Sequence, residues 1–143
     1  MGFWQDMLDG YVNGTTPEPL ANQKLGLGTL DAWHPGHVSK RWTVDPELFH
    51  GRALFGGYIA GLADQVLGLA AMTVLEDGVF FGTTDMTIHY LAPVTGGELR
   101  IEGSVVKQRK KSIFVECCFY LQNDLVAKAS ATQVLYEQKK PAN

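Results

Sequence analysis

One long apolar segment dominates this sequence. Residues 55–75 read FGGYIAGLADQVLGLAAMTVL, and their single charged side chain is Asp64. Large apolar residues recur at the three- and four-residue spacings of an α-helix, and the opposite side carries glycines and alanines. Because a helix that is apolar all round needs protein around it, we predict one long helix that is buried on nearly every side.

The same segment is also long enough to cross a membrane, which takes about 20 apolar residues. Asp64, Gln65 and the internal glycines weaken that alternative. An aspartate at the middle of a bilayer costs about 2.5–3.5 kcal/mol on insertion scales. No other part of the chain is typical of a membrane protein, so we favour a helix enclosed by protein.

Glycines inside this helix need a reason, because each costs about 1 kcal/mol relative to alanine. Gly61 and Gly68 are two turns apart and share a side with Asp64. The pattern predicts close approach of another backbone or of a ligand. A carboxylate on that side is either paired with a structural partner or functional, and the helix alone leaves both alternatives open.

The start of the helix carries Gly56 and Gly57. The first N–H groups of a helix have no partners within it, and the helix dipole adds partial positive charge there. An acceptor oxygen that gains negative charge fits such a site. The segment therefore offers N–H donors at its start and a carboxylate about two turns later.

The rest of the chain predicts short elements before this helix and strands after it. Before it we predict a helix, a loop, two strands and a second loop, at residues 3–12, 15–24, 25–33, 37–44 and 45–54. After it, Asp77-Gly78 ends the helix and four strands follow, at residues 79–91, 99–107, 112–121 and 125–136. Short turns between these strands predict an antiparallel meander.

These elements predict an α+β fold in which an antiparallel β-sheet wraps around one long central helix. We expect a single domain over residues 1–143, with an N-terminal helix and loop (1–24), a core (25–136) and a tail (137–143). A net charge of −3 gives no general attraction to nucleic acid or to an anionic membrane. The N-terminus lacks the pattern of a secretory signal, and Cys117 and Cys118 point to opposite faces of a strand, so we expect reduced thiols and a cytoplasmic protein.

Two motifs resemble those of a known family. The Gly-Gly pair at 56–57, followed by Leu-Ala-Asp at 62–64, is similar to the HGG…LAD motif of the PaaI-type hotdog-fold acyl-CoA thioesterases. Residues 83–93, TTDMTIHYLAP, are similar to a strand of that family that ends in an aromatic–aliphatic–x–Pro turn. The resemblance covers roughly residues 25–136 and implies the hotdog fold.

The resemblance implies hydrolysis of an acyl-CoA thioester. Asp64 is then the general base for water, or a nucleophile that forms a mixed anhydride. The N–H of Gly56, with that of Gly57, polarises the carbonyl. Thr83 matches a position that orients the water, although a threonine is also an ordinary residue in a half-buried strand. Relatives share the site across a homodimer, or a dimer of dimers, and need no metal and no cofactor besides the coenzyme A of the substrate.

The chain departs from the family at two positions near the glycines. Phe55 replaces the histidine of the motif, and Phe49 stands where relatives have an asparagine that binds the carbonyl. His50 is the next residue and supplies a substitute donor or packs locally. By their position, Phe49, Phe55 and Tyr58 are candidates to line an apolar or aromatic acyl pocket.

A dense basic cluster follows the strand predicted at 99–107. Lys107, Arg109, Lys110 and Lys111 either contact the phosphates of coenzyme A or form a solvated turn. Two other classes of function stay open. One is a hotdog hydratase or dehydratase, which pairs a histidine with an acid, although the central helix has no histidine. The other is a protein that binds acyl-CoA without catalysis, because a fold alone does not define function.

Overall fold

Six antiparallel strands and one long helix form the centre of the structure, a computed structural model that describes residues 2–137. The helices are α1 (Phe3–Asn13), α2 (Leu20–Leu25) and α3 (Gly56–Met72), with a 3-10 turn at Pro46–Leu48. The strands are β1 (Ala32–His34), β2 (His37–Thr43), β3 (Phe49–His50), β4 (Ala53–Leu54), β5 (Val79–Tyr90), β6 (Glu98–Gln108), β7 (Ser112–Leu121) and β8 (Asp124–Glu137). Residues 138–143 of the predicted tail lie outside the described residues.

The main sheet has the strand order β1-β2-β6-β7-β8-β5, and every neighbouring pair is antiparallel. Helix α3 packs against β2, β5, β6, β7 and β8. The core lies between helix and sheet, and its fully buried side chains include Leu62, Val66 and Leu67 of α3 and Ile113 and Phe119 of β7. The predicted α+β arrangement, a sheet around one central helix, is confirmed.

The predicted four-strand meander is wrong in one connection. Strands β6, β7 and β8 do form a meander, but β5 pairs with β8 rather than with β6. Residues 91–97 therefore pass across the ends of β8 and β7, a distance of about 14 Å at normal strand spacing. Seven residues reach up to about 23 Å, so this connection is long enough to cross rather than to turn.

The long helix ends earlier than predicted, at Met72 rather than near Asp77-Gly78. The Thr73 hydroxyl donates to the carbonyl of Ala70 at 2.8 Å and accepts the N–H of Gly36 at 2.9 Å. This second contact ties the helix end to the β1–β2 turn, which is distant in the sequence. The helix is therefore ended by a tertiary contact and not by its own glycine.

Three predictions before the long helix are also wrong in part. The loop at 15–24 contains α2, and most of the strand at 25–33 is irregular backbone. Gly26 and Gly28 have φ angles of 64° and 73°, left-handed values that a strand does not adopt. The second loop, at 45–54, contains the small β3–β4 hairpin.

Helix α3 is not buried on every side within one chain. The side chain of Asp64 is exposed, and Ala60, Gly61, Gln65 and Gly68 on the same side are only half-buried. We call the positions 57, 60, 61, 64, 65 and 68 the open stripe of α3. Among residues 2–137, no helix combines the length and apolar content needed to cross a membrane.

Candidate active site

Asp64 lies halfway along α3, on the open stripe, and faces β5. Its Oδ1 accepts a hydrogen bond from the Thr83 hydroxyl at 3.3 Å. Strand β5 has a register shift between Thr83 and Asp85, which leaves Thr84 as an extra residue opposite β8. A bulge of this kind redirects a side chain, and here it falls beside the residue that contacts the carboxylate. The structure therefore brings together two of the predicted site residues, Asp64 and Thr83.

Gln133 of β8 is a third member of this group, and sequence reasoning missed it. It is fully buried, and its Oε1 lies 2.9 Å from the Thr83 hydroxyl oxygen. Its Nε2 has no hydrogen-bond partner among residues 2–137. The sequence did hold a signal, because Ala127, Ala129 and Ala131 mark the buried face of β8 and Gln133 continues that alternation as a polar residue.

The contacts of Thr83 constrain how this group can be hydrogen-bonded. A hydroxyl carries one proton, so Thr83 donates to Gln133 or to Asp64 at any one time. The two ends of a glutamine amide are assigned from their surroundings. With the amide turned over, Gln133 donates to Thr83, and Thr83 is then free to donate to Asp64. That arrangement gives a hydrogen-bonded chain from the core to the exposed carboxylate.

The first turn of α3 presents the N–H groups of Gly56 and Gly57. They occupy the first two helical positions, and Phe55 before them provides no side-chain cap. The Tyr90 hydroxyl donates to the carbonyl of Gly56 at 2.7 Å, and a methyl group at position 56 would lie 3.2–3.4 Å from the Tyr90 ring. A methyl group at position 57 would lie 2.6 Å from the Phe55 ring. The glycine pair therefore lets two aromatic rings approach the helix start.

Gly56 and Asp64 are far apart within one chain. They are separated by eight residues of continuous helix, which correspond to about 12 Å along the axis. An N–H donor lies about 3 Å from a carbonyl oxygen, and a base acts within one water of the carbonyl carbon. One chain therefore does not bring these two groups to the same thioester.

His50 and Phe55 lie together near the start of α3, with their rings edge to face at 6.2 Å. They line a hollow of about 320 Å³ together with Phe49 and Tyr58. The Tyr58 hydroxyl oxygen lies 2.7 Å from the carbonyl oxygen of Leu25 and 3.0 Å from that of Gly26, and its one proton is donated to one of them at a time. Burial raises the pKa of Tyr58 above its usual value. Its hydroxyl is thus used in fixing the end of α2.

The basic cluster lies at the other end of α3. Arg109, Lys110 and Lys111 form the β6–β7 turn and line a cleft of about 660 Å³ with residues that follow the C-terminus of α3. Their side chains are exposed. Within one chain, the cluster therefore approaches neither Asp64 nor the glycine pair, and its predicted contact with phosphates stays a prediction.

A smaller cavity adjoins Asp64 directly, and we call it the side cavity. It has a volume of about 240 Å³ and lies between α3, β5 and the N-terminal segment. Its lining residues are Tyr11, Glu18, Pro19, Asn22, Gly28, Thr29, Asp64, Gln65, Gly68, Leu69, Met72, Phe81 and Thr83. No local sequence pattern predicts this cavity, because it depends on where α1 and α2 pack.

The sequence matches a known family and a curated relative. The model of the thioesterase superfamily matches residues 51–128, which is more than half of the chain and includes Asp64 and Thr83. A protein of Saccharolobus solfataricus that is named as a candidate esterase is 31% identical over 91 residues, or 62% of this chain. The match covers 59% of that relative, so the chain spans about three fifths of its length.

Solved structures show the same fold. A phenylacetic acid degradation-related protein of Ralstonia eutropha superposes with a TM-score of 0.80, at 22% identity, over 90% of this chain and 98% of that one. A protein of Streptococcus mutans, solved with bound acetyl-CoA, superposes with a TM-score of 0.69 at 27% identity, over 78% of this chain and 90% of that one. The chain therefore belongs to the thioesterase superfamily and has the hotdog fold that its Gly-Gly and Leu-Ala-Asp motifs predict.

Proposed function

We propose that this protein hydrolyses acyl-CoA thioesters to a free acid and coenzyme A, with Asp64 as the catalytic carboxylate. The observation that carries the proposal is the setting of Asp64. It is the exposed charge on an otherwise small and apolar helix face, and its contact is the Thr83 hydroxyl. None of the ion pairs within residues 2–137 involves it. Membership of the thioesterase superfamily and the acetyl-CoA bound to the S. mutans protein support the same reaction.

The chemistry follows from these groups. The N–H of Gly56, with that of Gly57, donates to the thioester oxygen and stabilises the negative charge that develops on it. Asp64 removes a proton from water, whose oxygen attacks the carbonyl carbon. The tetrahedral intermediate collapses, the carbon–sulfur bond breaks, and the thiolate of coenzyme A leaves and takes up the proton that Asp64 removed from water, which restores the carboxylate. In the alternative route, Asp64 attacks the carbonyl carbon itself and the carbon–sulfur bond breaks with loss of the coenzyme A thiolate; water then hydrolyses the mixed anhydride, which releases the acid and restores the Asp64 carboxylate.

This mechanism needs two chains, because Gly56 and Asp64 of one chain lie about 12 Å apart along α3. We infer a homodimer in which Gly56 of one chain and Asp64 of the other act on one thioester. Two surfaces of the chain favour such a dimer. The twelve-residue strand β5 is an edge strand of the sheet, and a long open edge is a ready template for pairing with another strand.

The second surface is the apolar patch around the helix start. Phe55, Tyr90 and Leu91 are 52%, 51% and 56% exposed in the single chain. Large apolar side chains grouped in this way mark interaction sites in soluble proteins. The patch adjoins the end of β5 and the glycine pair, so a partner that covers it also reaches the N–H groups of Gly56 and Gly57.

Two finer assignments belong to the same proposal. Arg109, Lys110 and Lys111 of a partner chain contact the coenzyme A phosphates, since the S. mutans protein binds acetyl-CoA and these side chains are exposed. We also infer a reducing compartment such as the cytoplasm. The two cysteines are adjacent in β7, one buried and one half-buried, and burial raises the pKa of the Cys117 thiol to about 12, which keeps it an unreactive thiol.

The direct test is thiol release from a panel of acyl-CoAs by the native protein and by Asp64→Asn. We expect kcat/KM to fall by about 100-fold or more in a folded variant, because the amide neither accepts the proton nor attacks the carbonyl. Asp124→Asn, which changes an exposed carboxylate at the start of β8, is the matched control and keeps native activity. Full activity in Asp64→Asn contradicts the proposal. Acyl-CoA binding without thiol release by the native protein favours a non-catalytic binding protein instead.

A further inference from the structure

The side cavity extends from Asp64 towards the C-terminus of α3. Helix α3 forms its floor with Gly68, Leu69 and Met72, and Phe81 of β5 forms a wall. Its roof is the N-terminal segment, through Tyr11 of α1 and residues 18–22. The roof is held firmly, since Trp4 and Leu8 of α1 are buried in the core and the Trp4 indole donates to the carbonyl of Val79 at 2.9 Å.

The absence of a side chain at position 68 leaves space in the cavity beside Phe81. A methyl group built at Gly68 would lie 3.4 Å from the Phe81 ring, in ordinary contact, and anything larger would project into the cavity. Glycine in the middle of a helix costs about 1 kcal/mol relative to alanine. Among residues 2–137 of one chain, only the Phe81 side chain lies within 4 Å of that methyl position outside α3, so a close neighbouring backbone does not explain this cost there. The space left open beside Gly68 therefore needs a functional explanation.

The cavity also opens at the reacting groups. Asp64 and Thr83 are among its lining residues, so a group that fills it is continuous with a carbonyl placed at Asp64. The deeper lining is apolar, with Leu69, Met72 and Phe81. The Gln65 amide already has hydrogen-bond partners in the protein, because it donates to the carbonyl of residue 28 at 2.7 Å and accepts from Lys40 at 2.8 Å. It is therefore not a free polar group for a ligand in the cavity.

The rim on the N-terminal side carries Glu18 and Asn22. Burial, and then the charge of Glu18, raise the pKa of Tyr11, so its phenol stays neutral. A carboxylate at the rim repels a second carboxylate. The cavity therefore suits an acyl group that is apolar along its length and does not end in an acid.

We propose that the side cavity binds the acyl group of the thioester, in the same chain that supplies Asp64, and that it selects apolar acyl groups of medium size. This inference rests on the proposed function. An apolar cavity of about 150 Å³ holds one benzene molecule. By proportion, the 240 Å³ of the side cavity take about ten non-hydrogen atoms. The preferred substrates are thus straight chains of about eight to ten carbons, or an arylacetyl group of similar size.

The test is the chain-length profile of kcat/KM, measured with acyl-CoAs from acetyl to palmitoyl and with phenylacetyl-CoA. The native protein peaks at medium length. Gly68→Val fills the cavity and lowers kcat/KM for decanoyl-CoA by about 10-fold or more, mainly through KM, while the value for acetyl-CoA stays within about twofold. Gly68→Ala gives a smaller change in the same direction. Val106→Ala, at an exposed apolar position of β6 outside the cavity lining and outside the open stripe, is the control and keeps the native profile.

A second variant changes the cavity in the opposite sense. Met72→Ala enlarges it and shifts the optimum towards longer chains, a gain that a merely destabilised protein does not show. If Gly68→Val lowers all chain lengths equally, or if the profile of Met72→Ala matches the native one, the acyl group does not bind here. In that case the proposed hydrolysis still stands, because the native protein releases thiol. If the native protein hydrolyses no acyl-CoA, both proposals fail together.

Discussion

At the scale of single residues, the proposed hydrolysis depends on two groups that act on one carbonyl. Asp64 is a side chain and is tested by changing it. Gly56 contributes a backbone N–H, and an ordinary substitution leaves that N–H in place. Because Gly56 is the first residue of α3, one substitution at this position removes the N–H and keeps the helix. Proline is well tolerated at that position and has no N–H.

We therefore expect Gly56→Pro to lower kcat by about 100-fold, since it removes an N–H that stabilises the oxyanion. The preceding residue, Phe55, has φ −58° and ψ 127°, which a following proline accepts. Gly56→Ala is the matched control, because it adds the same carbon next to Tyr90 and keeps the N–H. Equal loss in both variants would show that the crowding of Tyr90, and not the N–H, is responsible.

At the scale of the elements, the sequence predicts those features that local residue patterns determine, such as the bounds of strands. The four strands after α3 begin and end within one or two residues of their predicted bounds, because their side chains alternate or are bounded by turn residues. The pairing of β5 was not predictable, since residues 91–97 are long enough to reach either β6 or a more distant edge. The end of α3 depends on the Thr73 contact with the β1–β2 turn.

The candidate site likewise has one part that local sequence predicts and another part that depends on tertiary contacts. The spacing of the Gly-Gly pair and Asp64 lies within one helix, so the sequence predicts it. The Thr83–Gln133 contact depends on the register of β5 against β8, between residues fifty positions apart. The side cavity depends on how α1 and α2 pack over α3. Contacts of this kind are set by tertiary structure, and a single sequence contains no local pattern for them.

A buried lysine connects β2, α3 and the irregular segment that follows α2. Lys40 of β2 is almost inaccessible, and its ammonium donates to the carbonyl of Leu27 and to the side chain of Gln65 in α3. Burial lowers its pKa from 10.5 to about 8. Between these two pH values, the unfolded chain binds more protons than the folded chain. The contribution of Lys40 to the free energy of unfolding therefore rises as the pH increases from about 8 to 10.5. Below about pH 8, Lys40 is charged in the folded chain, and the full cost of burying that charge lowers stability.

We expect the native protein to gain stability relative to Lys40→Met as the pH rises from 8 to 10.5, by an amount on the order of 3 kcal/mol. Denaturant unfolding of both proteins at several pH values measures this difference. Other groups, including Cys117 with its raised pKa, are present in both proteins and cancel. Parallel stability profiles across this range would show that Lys40 is not charged and buried as described.

At the scale of the whole molecule, the proposed mechanism requires two chains for each active site. The open edge of β5, the open stripe of α3 and the apolar patch at Phe55, Tyr90 and Leu91 lie on parts of the chain that one copy leaves uncovered. A twofold axis that pairs these surfaces creates two equivalent sites. Each site then combines the glycine pair of one chain with the carboxylate of the other. A protein that stays monomeric in light scattering at assay concentration is incompatible with this arrangement.

The most direct test of this claim is to mix two inactive variants, Gly56→Pro and Asp64→Asn, under conditions that exchange subunits, and to measure thiol release. In a mixed dimer, one site receives Gly56 from the Asp64→Asn chain and Asp64 from the Gly56→Pro chain, and is therefore native. Random exchange makes half of the dimers mixed, each with one of its two sites intact, so the account predicts recovery of about a quarter of native activity. If the mixture of folded, exchanging variants stays as inactive as its components, the two groups do not act together across the dimer, and the proposed site is wrong.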